Sequence, residues 1–244
     1  MLAVQCDLIS EYFAFKKGRN SEYDDTSISK LFKYLHPFKM SVLQKNHIGL
    51  SDEEVGALGA GNFIKIRNFT DENDLIQNTT LKVMLSKDSD DGSFPYPYIN
   101  ILDDETDVNF TATYKSGDSR AKAKEHIKAL LADASQISIY DRYLSKINRR
   151  DDSWNTTNKQ LLLDILPKKT ISIKLYCEYN WSTIRKSDLT AFCSDWTILK
   201  QSWSNNIHDR YIETDKVIIL LSSGIINLDD LSTKDFTYIV KVKS

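Results

Sequence analysis

From residue 119 to the end, helical periodicity alternates with short β-branched runs, and this alternation constrains the fold more than any other feature of the chain. Ser119 predicts the N-cap of a helix over 120–134 that sets Ala123, Ile127, Leu130 and Leu131 on one face. Ile137–Tyr140 reads as a strand, Lys159–Ile165 as a helix ended by Pro167, and Ile171–Tyr176 as a second strand. Ser187–Leu199 predicts another amphipathic helix, and His208–Ile212 and Val217–Leu221 two more strands. Such a succession buries its apolar residues by laying helices on a sheet. The expected class is therefore α/β, with a mixed sheet flanked by helices in the C-terminal half.

The preceding part reads as a smaller, strand-rich region. Asn62–Phe69 alternates apolar and polar residues, and Leu81–Leu85 repeats the pattern. Tyr98–Leu102 and Val108–Tyr114 suggest a strand pair joined by the acidic turn Asp103–Asp107, while Leu2–Phe15 fits either a strand pair or a short helix. A composition break at Lys115–Ser119 places the boundary between domains spanning 1–118 and 119–244. Charge changes sign nearby. Residues 71–110 hold ten acids against two bases, whereas residues 111–216 hold thirteen acids against eighteen bases. An excess of five positive charges permits an anionic partner without requiring one.

Cys6, Cys177 and Cys193 lie far apart, at spacings that suit neither a metal site nor a disulfide framework, which points to a reducing compartment. An acid at position seven leaves no room for a signal peptide's apolar stretch. The longest apolar run, Val217–Leu221, has five residues where a membrane span needs about 20. The expectation is a cytoplasmic chain without a transmembrane segment, metal or cofactor, whose membrane contacts would be peripheral.

The stretch richest in chemistry is His208-Asp209-Arg210-Tyr211-Ile212-Glu213-Thr214-Asp215. On a strand, residues two apart project to one face, so His208 and Arg210 would address a single phosphate together. This stretch resembles the HxKxxxxD motif of the phospholipase D superfamily, with Arg210 in the place of the lysine. Ala134–Tyr143 resembles the family's opening helix-to-strand segment, which ends in an aspartate and an aromatic. Ser222-Ser223-Gly224 falls where the family's GSxN element follows the motif strand. The closest resemblance is to the C-terminal phospholipase-D-like domain of MIT-domain proteins, which carries an Ile-His-Asp-Arg-x-Ile segment like Ile207–Ile212 here.

That resemblance covers about half the chain and implies a phosphodiesterase, foremost a metal-independent nuclease, with a role in bacterial defence among the expectations. His208 would be nucleophile and acid, Arg210 the phosphate clamp, Asp215 the orienting carboxylate and Ser223 an auxiliary donor; Ser222 would help bind the phosphate. One motif per chain implies a homodimer, because the chemistry needs both a nucleophile and a general acid. The alternative is an inactive module that binds nucleic acid or acidic phospholipid, or serves as a subunit of a larger complex. The departures are Arg210 for lysine, Ser222 for the element's glycine and Ile225 for its asparagine, and arginine is not a neutral replacement for lysine. Structural alternatives stand beside these readings: an ion pair of Arg210 with Asp209 or Glu213, local pairing of Asp141 and Arg142, and structural roles for His36, His47, His126 and the four tryptophans.

Overall fold

The structure, a computed structural model, describes residues 2–33, 38–60, 64–67, 69, 71–88, 90, 92, 94–102, 109–145, 153–178, 184–204, 209–229 and 234–243. The chain forms two compact units, Met1–Thr106 and Asp107–Ser244. His36, the turn Asp103–Asp107, Trp181 and His208 lie outside the described residues.

In the first unit, strands β1 (Ala3–Val4), β2 (Phe38–Ser41), β3 (Ile64–Arg67), β4 (Met84–Ser86) and β5 (Tyr98–Asn100) form one sheet in the order β3-β2-β1-β4-β5. Every neighbouring pair is parallel. Parallel neighbours cannot be joined by tight hairpins, and helices α1 (Cys6–Lys16), α2 (Asp25–Lys33), α3 (Val42–Ile48), α4 (Asp52–Ala60) and α5 (Glu72–Gln77) lie between the strands in sequence. A region expected to be strand-rich is thus α/β as well. Local chemistry explains why the helices start where they do. Ser41 and Gln44 form a reciprocal capping box at α3, and the Gln44 amide also donates to the carbonyl of Val4 on β1 at 2.9 Å. Asp71 accepts from the backbone N–H of Asp74 at the start of α5.

The second unit holds a seven-stranded sheet in the order β6-β12-β11-β10-β7-β8-β9. Its strands are β6 (Asn109–Tyr114), β7 (Gln136–Tyr140), β8 (Ile171–Cys177), β9 (Trp196–Ser202), β10 (Arg210–Thr214), β11 (Val217–Leu221) and β12 (Phe236–Val242). Strands β7, β8 and β9 run parallel, and the remaining pairs are antiparallel. The helices are α6 (Ala121–Ala132), α7 (Ser153–Ile165) and α8 (Lys186–Phe192). Burial alternates along the strands, so one sheet face is enclosed and the other is half-exposed. Ile139, Ile212 and Ile219, facing one another across β7, β10 and β11, are fully buried. Complete burial of such side chains contributes about 1.5–3 kcal/mol each.

Several expectations need correction here. Strand β6 pairs with β12, not with β5, so the division falls near residue 106 and the segment 109–114 belongs to the second unit. The helix expected over Ser187–Leu199 ends at Phe192, and Trp196–Ser202 is a parallel strand. Within it Trp196 and Ile198 are buried while Thr197 and Leu199 are exposed, a period of two that the sequence also contains. Strand β12, absent from the sequence reading, becomes evident through its pairing with both β11 and β6. Helix α6 starts after Arg120, so Ser119 lies one residue before the N-cap position, where its hydroxyl accepts from the N–H of Ala121 at 3.3 Å. His126 is buried in α6, with its Nδ1 2.7 Å from the Tyr238 hydroxyl, which fits a structural role.

Candidate functional site: the Arg210 pocket

The register of β10 between β7 and β11 brings four separate segments together. Arg210 opens β10 opposite Leu221, the last residue of β11, and the chain then turns through Ser222, Ser223 and Gly224. Asp141 follows the last residue of β7. Helix α7 packs against the 3-10 turn Ile225–Leu228, which brings Asn158 to the same place. Between these segments lies a cavity of about 280 Å³.

Asp141 organises the cavity wall. It is 2% exposed. One carboxylate oxygen accepts from the N–H of Tyr143 at 3.0 Å, and the other from the N–H of Ile225 at 2.9 Å. Those bonds fix the loop after β11 against the end of β7. They also require a glycine at 224, because a Cβ there would stand 2.9 Å from the Asp141 Oδ2. Burial pushes the Asp141 carboxyl above the usual carboxylate range; the two N–H groups and the Arg210 guanidinium pull in the other direction without cancelling it.

Arg210 faces this carboxylate without fully engaging it. Its Nε is 3.8 Å from the Asp141 Oδ1, close enough to feel the charge and too far for a hydrogen bond. The guanidinium carbon lies 5.4 Å from the centre of the Tyr143 ring. Arg210 Nε, Ser223 Oγ and Asn158 Oδ1 are enclosed polar atoms without a hydrogen-bond partner. All three residues line the cavity. An unmet buried polar atom costs about 1–3 kcal/mol, so three such residues around one cavity single it out as the candidate site. Among the described residues, the charged groups in the lining are Asp141, Arg210 and Lys234.

The sequence candidates separate accordingly. Arg210 and Ser223 line the cavity, and His208 lies outside the described residues. Asp215 sits in the turn between β10 and β11, about 16 Å along the strand from Arg210 at 3.3 Å per residue. There it accepts from the N–H of Ser135 at 2.9 Å, tying that turn to the start of β7. Burial tends to raise the Asp215 carboxyl, but hydrogen bonds from Ser135 and its own N–H outweigh this and hold it below the ordinary value. The Ser222 hydroxyl accepts from the N–H of Thr237 at 2.8 Å, so it serves the β12 edge and is not part of the cavity lining. The alternatives for Arg210 also resolve. Glu213 pairs with Lys243 at 2.9 Å, Arg142 with Glu178, and Asp141 is the carboxylate beside Arg210.

The sequence alone suggested local pairing of Asp141 with Arg142 and gave no place to Asn158 or Lys234. Asp141 had a readable signal, an acid directly after a strand at the family's aspartate-aromatic position. Asn158 had none, because only the packing of α7 brings it here. Elsewhere, Trp196 is a structural anchor, 3% exposed, with its indole N–H donating to the Pro167 carbonyl at 2.8 Å.

No family model matches the chain, and no curated protein matches it. Among solved structures, it is similar to TrmBL2, described as an archaeal chromatin protein that shows a novel mode of DNA binding. That likeness has 12% identity and a TM-score of 0.29, and it covers 55% of this chain and 45% of the other, too slight to indicate a shared fold. Among the described residues, no helix is long and apolar enough to cross a membrane.

Proposed function

We propose that the second unit is a phospholipase-D-like phosphodiester site, in which Arg210 and Ser223 hold the phosphate and His208 performs cleavage. The observation that carries this reading is the convergence of two enclosed, unbonded groups, Arg210 Nε and Ser223 Oγ, on one cavity. A guanidinium is a permanently charged donor fork matched to phosphate oxygens. Asp141 has a positioning role, holding both the guanidinium and the loop that carries Ser223. The role of His208 rests on the resemblance of the motif alone. With one motif per chain, cleavage calls for a homodimer that brings together two copies of the site.

The test is equilibrium binding and single-turnover cleavage of a labelled single-stranded oligonucleotide by the full chain, with anionic vesicles as a parallel arm. The expected result is oligonucleotide binding that Arg210→Ala weakens, with cleavage that His208→Ala abolishes and EDTA spares. Binding without cleavage would reduce the site to a recognition module. If Arg210→Ala left binding to both ligands unchanged, the site would not be a phosphate site.

A further inference from the structure

Arg210 and Ser223 reach the cavity from one side. Arg210 opens β10 and Ser223 follows β11, and these strands are neighbours, so both donors approach from the end of the sheet. Asn158 comes from a different element, helix α7, which packs on the turn Ile225–Leu228. It is only 4% exposed and belongs to the floor of the cavity, whereas Tyr143, at 39%, marks the rim. The Asn158 Oδ1 is enclosed in the wall. That leaves Nδ2 as the atom turned to the cavity, and among the described residues it has no hydrogen-bond partner. A carboxamide nitrogen donates and does not accept. The guanidinium, the hydroxyl and the amide therefore offer donors from two directions, and a guest that meets all three carries acceptor oxygens on two sides. Packing of α7 alone does not explain this side chain, because packing needs no polar atom at the cavity surface and an amide with neither end bonded costs stability.

Resting on the phosphodiester reading above, we infer that Asn158 is a further phosphate-binding residue, whose amide holds the non-bridging oxygen that Arg210 and Ser223 leave open. A phosphodiester has two such oxygens, pointing apart from one phosphorus atom. The guanidinium and the hydroxyl take the one turned to the sheet, and the amide takes the one turned to α7. A neutral donor suits the floor. A second cation buried there would need a counter-charge beyond Asp141, whereas an amide supplies a hydrogen bond without adding charge.

The experiment measures equilibrium binding to the full chain carrying His208→Ala, so that cleavage does not consume the ligand. The readout is displacement of a labelled single-stranded oligonucleotide by dinucleotides with a single linkage. One is the natural phosphodiester, and two are the methylphosphonate diastereomers, each with a different non-bridging oxygen replaced by a methyl group. Asn158→Ala should weaken the natural dinucleotide about fivefold, the worth of one neutral hydrogen bond. It should weaken one diastereomer by the same factor and leave the other unchanged, because that one already lacks the oxygen held by the amide. Asn158→Asp keeps the size of the side chain but sets a negative charge against the phosphate, so its loss should exceed about tenfold. Melting temperatures accompany the binding data, and should Asn158→Ala unfold, the size-preserving Asn158→Asp decides. Unchanged affinity in a folded variant overturns the inference. So does an equal loss for all three dinucleotides, which would mean that Asn158 acts through packing alone. Failure of the dinucleotides to displace the oligonucleotide overturns it as well, since a phosphate gripped from both sides should be held through one linkage. In each of these cases a loss of oligonucleotide binding in Arg210→Ala leaves the phosphodiester reading standing. If the oligonucleotide does not bind, or Arg210→Ala has no effect on it, that reading falls and the inference falls with it.

Discussion

At one end of β10, Arg210 stands beside a buried carboxylate with its Nε unbonded; at the other, Asp215 is bonded to the backbone of Ser135. Both residues belong to one sequence motif and lie five positions apart. The Asp215 end is closed: the turn to β11 is held by the Thr214 hydroxyl, which accepts from the N–H groups of Lys216 and Val217. The Arg210 end is open, with three enclosed polar atoms around a cavity. Unmet polar groups oppose folding and persist where a ligand completes them, whereas met ones stabilise the fold. The motif therefore divides into a part that lines a cavity and a part that builds the sheet. The first unit offers a similar contrast where its strand order reverses, at the carboxyl ends of β1 and β4, the usual place for a ligand in such sheets. There the Ser86 hydroxyl donates to the Gln5 side chain at 2.6 Å, and the Gln5 amide donates to Asp88 at 3.3 Å.

Substitution at Arg210 should have the largest effect on binding. Arg210→Ala should weaken oligonucleotide affinity by about 1.5–3 kcal/mol, the value of a charge-assisted hydrogen bond. Arg210→Lys keeps a cation opposite Asp141 and should preserve the melting temperature, yet recover only part of the affinity because a point charge cannot replace the fork. Full recovery by lysine would mean that charge alone is used. Gly224→Ala tests how tightly the open end is supported. The new Cβ must displace a carboxylate held by two N–H groups, so unfolding free energy should fall by about 1–3 kcal/mol, as in other overpacked sites. An unchanged melting temperature would show that the loop shifts freely.

The pH dependence should differ between the two ends. Because the folded-state value of Asp141 is raised, its contribution to stability is fully present below the ordinary carboxylate value and is lost as pH rises through the raised one. Protonation of Asp141 also removes the counter-charge beside Arg210, so phosphate affinity should increase as pH falls through that raised value. Asp141→Asn should flatten the response, and an unchanged pH profile in that variant would assign the titration to another group. Asp215 has the opposite sign. Its lowered value supports stability above the ordinary carboxylate range, and this support is lost as pH falls. Asp215→Ala should have the smallest effect, about 1 kcal/mol of stability from one lost hydrogen bond, with oligonucleotide affinity unchanged. A large loss of binding in this variant would erase the distinction between the two ends.

Much of the second unit was legible in the sequence because its signals are local. Strands β7, β8 and β11 and helix α6 follow from hydrophobic period, Arg210 stood out with His208 by the two-residue spacing of a strand, and Ser223 was implied by the family resemblance alone. Other features were read wrongly where local signals conflict. Leu189, Phe192 and Trp196 continue a helical stripe, yet pairing with β8 commits Trp196 onward to a strand. The sequence by itself determined the α/β class and one strand of the site, since side-chain alternation along a single segment is enough for both. Only the tertiary structure decided that Asp141, from the end of β7, is the carboxylate facing Arg210, that Asn158 reaches the cavity from α7, and that Asp215 is taken up by the backbone of Ser135 at the other end of β10. The reason is physical. A motif records positions along one strand, whereas hydrogen-bond satisfaction depends on distances between strands and helices remote in sequence, which become fixed only once the apolar sheet face is buried.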